Sequence, residues 1–270
     1  MKKHFKILSA VVAVLGLSMA LTACGNSSKS SKSSDYKSEL KDSKTLTIGL
    51  EGTFAPYSYR EDGKLTGFEV DLGKAVAKKL DVKAKFVPTK WDSLIAGLGS
   101  KKFDAVLNNI TVTKARKKQY IFSTPYIYSR SVLITKDDNT TITNVKDIKG
   151  KKMAEGTGTE NEKTATKFGA TIVPSNAFEN SLALVRQGRA DGTINSRESF
   201  LTYQKDNGTD DLKYKLIPES QVPASKVSVM FNKQSPALQK KVNKALKELK
   251  DDGTLAKLSK EYFGGDITKD

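Results

Sequence analysis

The sequence predicts an α/β chain of two similar lobes, each a mostly parallel sheet flanked by helices. Three observations carry this expectation. From Thr45 to Phe263, short strand-like runs alternate with runs of helical period, the pattern of βαβ units. Two stretches, "SLIAGLGSKKFDAVLNN" (93–109) and "SLALVRQGRADGTINS" (181–196), repeat one order of helix, turn, aspartate, strand and asparagine. A content of 37% hydrophobic and 28% charged residues in 270 fits a water-soluble chain of one or two domains.

Along the chain, "KTLTIGL" alternates as a strand, and "FAPYSYREDGKLTGFEV" places a turn at Asp62-Gly63. "VDLGKAVAKKLDV" is helical, with Phe68, Leu72, Ala75, Val76 and Leu80 on one face. "VKAKFVP" reads as a strand, and "WDSLIAGLGSKKF" as a helix with Leu94, Ile95 and Leu98 inward. "DAVLN" and "SRSVLITK" are strands, and "TGTENEKTATKF" is a turn that opens a helix. "AFENSLALVRQGRA" is a helix, "DGTIN" a strand and "SRESFLTYQKD" a helix. "KVSVMFN" reads as one late strand, and "SPALQKKVNKALKELKDDGTLAKLSKEYF" as two closing helices.

The N-terminus obeys other rules. "MKKHFK" is basic, and the apolar run Ile7 to Leu21 is short for a membrane span, so 1–23 reads as a secretory signal peptide. The adjoining "LTAC" resembles a lipobox, which makes Cys24 the expected site of lipid attachment. Residues 24–44, rich in Ser and Lys, are expected to be a flexible linker. Cleavage before Cys24 removes Lys2, Lys3 and Lys6 and takes the net charge from +16 to +13. With an export signal, that excess suits anionic lipid or wall polymer and not nucleic acid. Cys24 is the only cysteine and His4 the only histidine, so the exported domain has no disulfide framework, imidazole ligand or Ser-His-Asp triad. No metal and no cofactor are expected.

Candidate binding residues cluster where strands end. Asn108, Asn109, Thr111 and Arg116 come after "DAVL", and a guanidinium fork with neighbouring donors suits a carboxylate. Alternatively, Arg116 only decorates a short helix capped by Thr113. "GTGTEN" (156–161) brings Thr157, Gly158, Thr159 and Glu160 to a helix start, whose free N–H groups attract anions. Asn195 and Ser196 end the repeat's second strand. Phe54 and Trp91 flank β-to-α turns, as core or as ligand platform, and Glu51 beside them can hold an ammonium. Carboxyl ends of strands line the crevice in open parallel sheets, so two such lobes would enclose a cleft.

"IGLEGTFAPYSYREDGKLTGFEVDL", "PTKWDSLIAGLGSKKFDAVLNNITVTKARKKQYIFSTPY", "DIKGKKMAEGTGTENE" and "DDGTLAKLSKEYFGG" resemble, in order, signatures of ABC-transporter substrate-binding proteins for polar amino acids, over 45–267. "GLEGTFAPYSY", "PTKWD", "RKKQYIFSTPY" and "GGDITK" are most similar to cystine-binding members. The resemblance implies a periplasmic-binding-protein-like type II fold joined by a two-strand hinge. Lobe 1 would be 45–126 plus 227–270 and lobe 2 would be 127–226, with crossings near Tyr126–Arg130 and Val222–Lys226. It implies that Arg116, Thr111 and the Thr159 amide grip an α-carboxylate. Phe54 and Trp91 would sandwich the ligand, and Glu51 and Asn109 would line its side chain. At Ser196, relatives usually carry an aspartate for the α-ammonium, and Glu160, Glu198 or Glu51 could compensate.

The function implied is a monomeric, lipid-anchored receptor outside the cell membrane that hands cystine or another polar amino acid to a permease and its ATPase. It would not be an enzyme. The alternatives are a surface adhesin for anionic or matrix polymers, and a dehydratase-like enzyme on the same fold.

Overall fold

The computed structural model describes residues 35–208 and 211–269. The expected signal peptide, Cys24 and the linker as far as 34 lie outside the described residues. The rest of the expected linker, from residue 35 onward, is folded, so its boundary at 44 is corrected. Tyr36–Glu39 form a 3-10 turn, and Tyr36 and Leu40 are buried. The Glu39 carboxylate accepts the Ala237 and Leu238 N–H groups at 3.2 and 2.7 Å, satisfying donors that a helix start leaves open. Two apolar side chains among serines and lysines suffice to dock this segment on a distant helix.

The first lobe begins with β1 (Thr45–Leu50), the hairpin β2 (Tyr59–Glu61) and β3 (Lys64–Thr66), and α1 (Phe68–Lys79). Next come β4 (Lys83–Pro88), α2 (Trp91–Gly99), β5 (Ala105–Val106), α3 (Lys114–Lys117) and β6 (Tyr120–Phe122). β7 (Ile127–Ser129) leads into the second lobe, with β8 (Ser131–Lys136), β9 (Lys152–Gly156), α4 (Glu160–Lys167) and β10 (Thr171–Ser175). α5 (Phe178–Arg186), β11 (Thr193–Ser196), α6 (Arg197–Asn207) and β12 (Leu212–Leu216) complete it. β13 (Ser225–Val227) returns to β14 (Met230–Asn232), α7 (Pro236–Asp251) and α8 (Thr254–Phe263).

The larger sheet has the order β4-β1-β5-β14-β6, with β1 parallel to β4 and β5 and with β14 antiparallel to both neighbours. In the second lobe β9 and β10 are parallel, whereas β8 runs antiparallel to β11 and β12. The single strand expected over "KVSVMFN" is two. β13 pairs with β7, and β14 enters the large sheet, with Ser228-Val229 between them. β7 and β13 thus form the two-stranded connection between lobes. The strand expected over "DAVLN" shrinks to two residues, because Asn109 turns to a φ of 48° and leads the chain away.

Helical period places Phe68, Leu72, Val76 and Leu80 in the first lobe's core, as read from the sequence, with Ala75 packed against it. Val132, Ile134, Leu182, Val185 and Phe200 anchor the second. Full burial of each such side chain stabilises by about 1.5–3 kcal/mol.

The start of α1 fixes the cleft wall. Gly67 has a φ of 121°, and a Cβ there would collide with the Tyr57 carbonyl oxygen. This approach lets Phe68 and Glu69 donate their N–H groups to Pro56 and Tyr57 at 3.0 and 2.9 Å. Glu69 is fully buried, and its Oε1 accepts both the Asn109 N–H, at 2.6 Å, and the Tyr126 hydroxyl. Burial, partly offset by those two bonds, pushes its carboxyl from 4.5 up to about 7.

Two outcomes are expected of this helix start. Gly67→Ala combines a strained φ with a backbone collision and is expected to cost at least about 2 kcal/mol in urea unfolding. Glu69 binds more protons folded than unfolded between pH 4.5 and about 7, so its contribution falls across that window and is level above it. Glu69→Gln is expected to reduce the loss of stability between pH 4.5 and 8 by about 2–3 kcal/mol, read from urea midpoints at each pH.

Candidate functional site

Between the two lobes lies a cavity of about 120 Å³. Glu51, Thr53, Phe54, Trp91, Asn108, Asn109, Thr111 and Arg116 line it from the first lobe. Glu155, Gly156, Thr159, Glu160, Asn161, Asn176, Phe178, Ser181, Asn195 and Ser196 line it from the second, with Ser129, Ser131 and Ser225 at the connecting strands.

Arg116 is the charged centre of the first wall. Thr113 caps α3 by accepting the Arg116 N–H at 3.1 Å, and the guanidinium is turned inward at 9% exposure. Nη1 donates to the Thr111 carbonyl at 2.9 Å, and the guanidinium carbon lies 5.6 Å from the centroid of the Trp91 ring. Among the described residues it makes no ion pair. Burial lowers its pKa, and the Glu160 charge counters that. A buried cation with four of its five N–H donors uncommitted is prepared for an oxyanion. The decorated-helix alternative does not hold, since the side chain points into the cavity.

Asn108, one of the lining residues, also holds a neighbour. Its Oδ1 accepts the Glu51 N–H at 2.8 Å and its Nδ2 donates to Glu51 Oε2 at 2.7 Å, so the amide clamps Glu51. Burial raises the Glu51 carboxyl, and that bond partly offsets the rise. Asn109 faces the cavity beside it, and its Oδ1 is buried with no hydrogen-bond partner among the described residues.

The aromatic residues span the gap. Phe54 stacks on Tyr57 at 5.1 Å and meets Phe178 edge-on at 6.4 Å. Trp91 Nε1 donates to the Thr157 carbonyl at 2.9 Å, and the Tyr57 hydroxyl donates to Ser196 Oγ at 3.3 Å. The Phe54–Phe178, Trp91–Thr157 and Tyr57–Ser196 contacts join the lobes.

The "GTGTEN" loop departs from expectation. Thr157 and Gly158 do not line the cavity. The Thr157 carbonyl is turned to Trp91, and the Gly158 N–H is held by Glu162 Oε2 at 2.6 Å. The Thr159 amide, expected to grip a ligand, donates to the Gly156 carbonyl at 3.1 Å, because 156–159 closes as a turn. Among the described residues, the N–H groups left without partners at the start of α4 are those of Glu160 and Asn161. Glu160 itself pairs with Lys163 at 2.6 Å.

Asn195 and Ser196 lie in the second wall. Asn195 Oδ1 accepts the Ser196 N–H at 2.8 Å. Glu198, a suggested substitute acid, is buried away from the cavity and accepts the Ser129 hydroxyl at 2.9 Å. The sequence reading missed Thr53, Glu155, Asn161, Asn176, Phe178, Ser181 and the connecting serines. Phe178 and Asn176 were within reach, since they sit at a helix start as Trp91 does. The serines carry no local pattern.

The chain matches the model for bacterial extracellular solute-binding proteins, family 3, over residues 46–265. It is 40% identical over 276 residues to the L-cystine-binding protein TcyA of Bacillus subtilis (strain 168), covering 100% of both. A solved structure from work on glutathione import through GshT and the cystine ABC importer TcyBC of Streptococcus mutans superposes with a TM-score of 0.77 at 34% identity, covering 84% of this chain and 98% of that one. An ancestral amino-acid-binding protein, AncCDT-1, described as a precursor of cyclohexadienyl dehydratase, gives 0.74 at 33% identity, covering 82% and 96%. With an inward-facing arginine in a cleft between two lobes, and a family match over nearly all of the folded domain, this chain belongs to the bacterial extracellular solute-binding proteins of family 3.

Proposed function

We propose that this chain is the substrate-binding component of an amino-acid ABC importer, tethered outside the membrane through Cys24. The lobes are 35–126 with 227–270, and 127–226, and β7 and β13 act as the hinge. The ligand presents a carboxylate to Arg116 and belongs to the class of cystine and other polar amino-acid compounds. The observation that carries this reading is the buried guanidinium without an ion pair among the described residues, facing a cavity lined from both lobes. The similarity to TcyA supports a cystine-type ligand. Phe54 and Trp91 offer apolar faces for a sulfur-bearing side chain.

A ligand that touches both lobes favours the closed arrangement, and closure is what a permease can read. The Glu160 and Asn161 amides would meet the carboxylate from the second lobe and complete that coupling. The chain acts as a monomer that delivers to permease and ATPase subunits. The chemistry is binding alone. A dehydratase reading would use Glu51 as its base, with Oε2 accepting the Asn108 amide.

Calorimetry on the ligand-stripped domain with the amino acids and cystine tests the assignment. Arg116→Ala is expected to weaken binding at least about 100-fold, since charge-assisted bonds are worth about 1.5–3 kcal/mol each. Trp91→Ala is expected to cost about 10-fold, through the lost ring face and the lost bond to Thr157. Wild-type affinity in Arg116→Ala would end the carboxylate assignment. Recovery of chemically altered ligand would move the protein to the dehydratase class.

A further inference from the structure

β9 carries a carboxyl to which the binding reading above gives no role. Glu155 follows the core residue Ala154, lines the cavity from the second lobe and is 1% exposed. Its Oε1 accepts the Ile194 N–H at 2.7 Å. Oε2 makes no hydrogen bond among the described residues, because the Thr193 hydroxyl beside it donates to the Ala154 carbonyl at 2.7 Å. Unlike Asn109 Oδ1, this oxygen is not closed off from the cavity.

A carboxylate placed there has no partner of opposite sign. Of the charged groups on the elements packed against β9, Glu162 of α4 is the one whose field reaches it, and that field opposes ionisation. Burial is the larger effect, and it pushes the Glu155 carboxyl well above the usual range, toward the neutral acid. Holding the Ile194 N–H does not require an acid, since a glutamine oxygen would accept it equally. The bond to Ile194 does bring the carboxyl within about 7 Å, two residues of strand, of Ser196. Ser196 has no charge, and its hydroxyl is spent on Tyr57 and Ser199.

Two other acids line the cavity. Glu160 pairs with Lys163 at 2.6 Å. Glu51 keeps Oε1 free, but it is only half-buried and its Oε2 accepts the Asn108 amide, so it depends less on an added cation. Resting on the receptor reading above, we infer that Glu155 meets an ammonium group of the amino-acid ligand through Oε2, while Oε1 stays on Ile194. The arriving cation ionises the acid, and the carboxyl proton leaves to water. Arg116 holds the ligand's carboxylate from the first lobe and Glu155 its ammonium from the second, so both ends of the contact favour closure.

The test is calorimetry on the ligand-stripped protein at about pH 6, in two buffers of different ionisation enthalpy, with cystine and each standard amino acid. The tightest binder is the probe. Wild type is expected to release a proton as the probe binds. Glu155→Gln, which keeps an oxygen for the Ile194 N–H, is expected to lose that release and to bind at least about 10-fold more weakly. The wild-type measurement stands whether or not the variant folds. A wild type that releases no proton overturns the proposal, and so does a Glu155→Gln variant that matches wild type in affinity or in release. The proposal also falls if Glu51→Gln loses both while Glu155→Gln keeps them. If Arg116→Ala abolishes binding and Glu155→Gln changes nothing, only this inference fails. If nothing binds wild type, the receptor reading fails with it.

Discussion

A guanidinium taken out of water has to be compensated, and in this protein the compensation is incomplete by construction. Arg116 is inside the cleft wall with one carbonyl and one aromatic face for company. The residual demand for an anion is the physical basis of the proposed carboxylate site. Much of the first lobe serves to hold that cation in place. Thr113 starts the short helix that carries it, Thr111 supplies the carbonyl, and the bridge between Thr111 and Val227 ties this segment to the returning strand.

Behind the wall is a second polar layer that no solvent reaches. Glu69 joins the Asn109 turn to Tyr126, which immediately precedes β7. A carboxyl whose pKa burial raises to about 7 gives up its proton less readily than an exposed one, which suits its place between cleft and hinge. Asn108 and Glu51 form a similar unit at the neighbouring strand end. The left-handed turn at Asn109 lets two successive asparagines serve different partners, one clamping Glu51 and the other facing the cavity.

Among the described residues, the contacts that join the lobes across the cleft are directional. An indole N–H, a phenol and an edge-on aromatic pair join surfaces whose other lining groups are polar. Ser196 contributes to this join by accepting the Tyr57 hydroxyl.

The sequence by itself determined the two-lobed α/β class, the α1 and α2 core faces, the turn at Asp62-Gly63 and the gathering of Asn108, Asn109, Thr111 and Arg116. The last three rest on period, turn chemistry or short spacing, which are local, and the two-lobed class on an internal repeat and a family resemblance. It could not show that Tyr36 and Leu40 dock on a distant helix, or that "KVSVMFN" divides between two sheets, since both depend on partners some 100 to 200 residues away. Only the tertiary structure decided which polar atoms in the cleft are already spent. The Thr159 amide, the Thr157 carbonyl and the Ser196 hydroxyl looked available as residue types, yet each is bound by a neighbour. A hydrogen-bonding group's availability depends on every partner within about 3 Å, and that census exists only once the chain is folded.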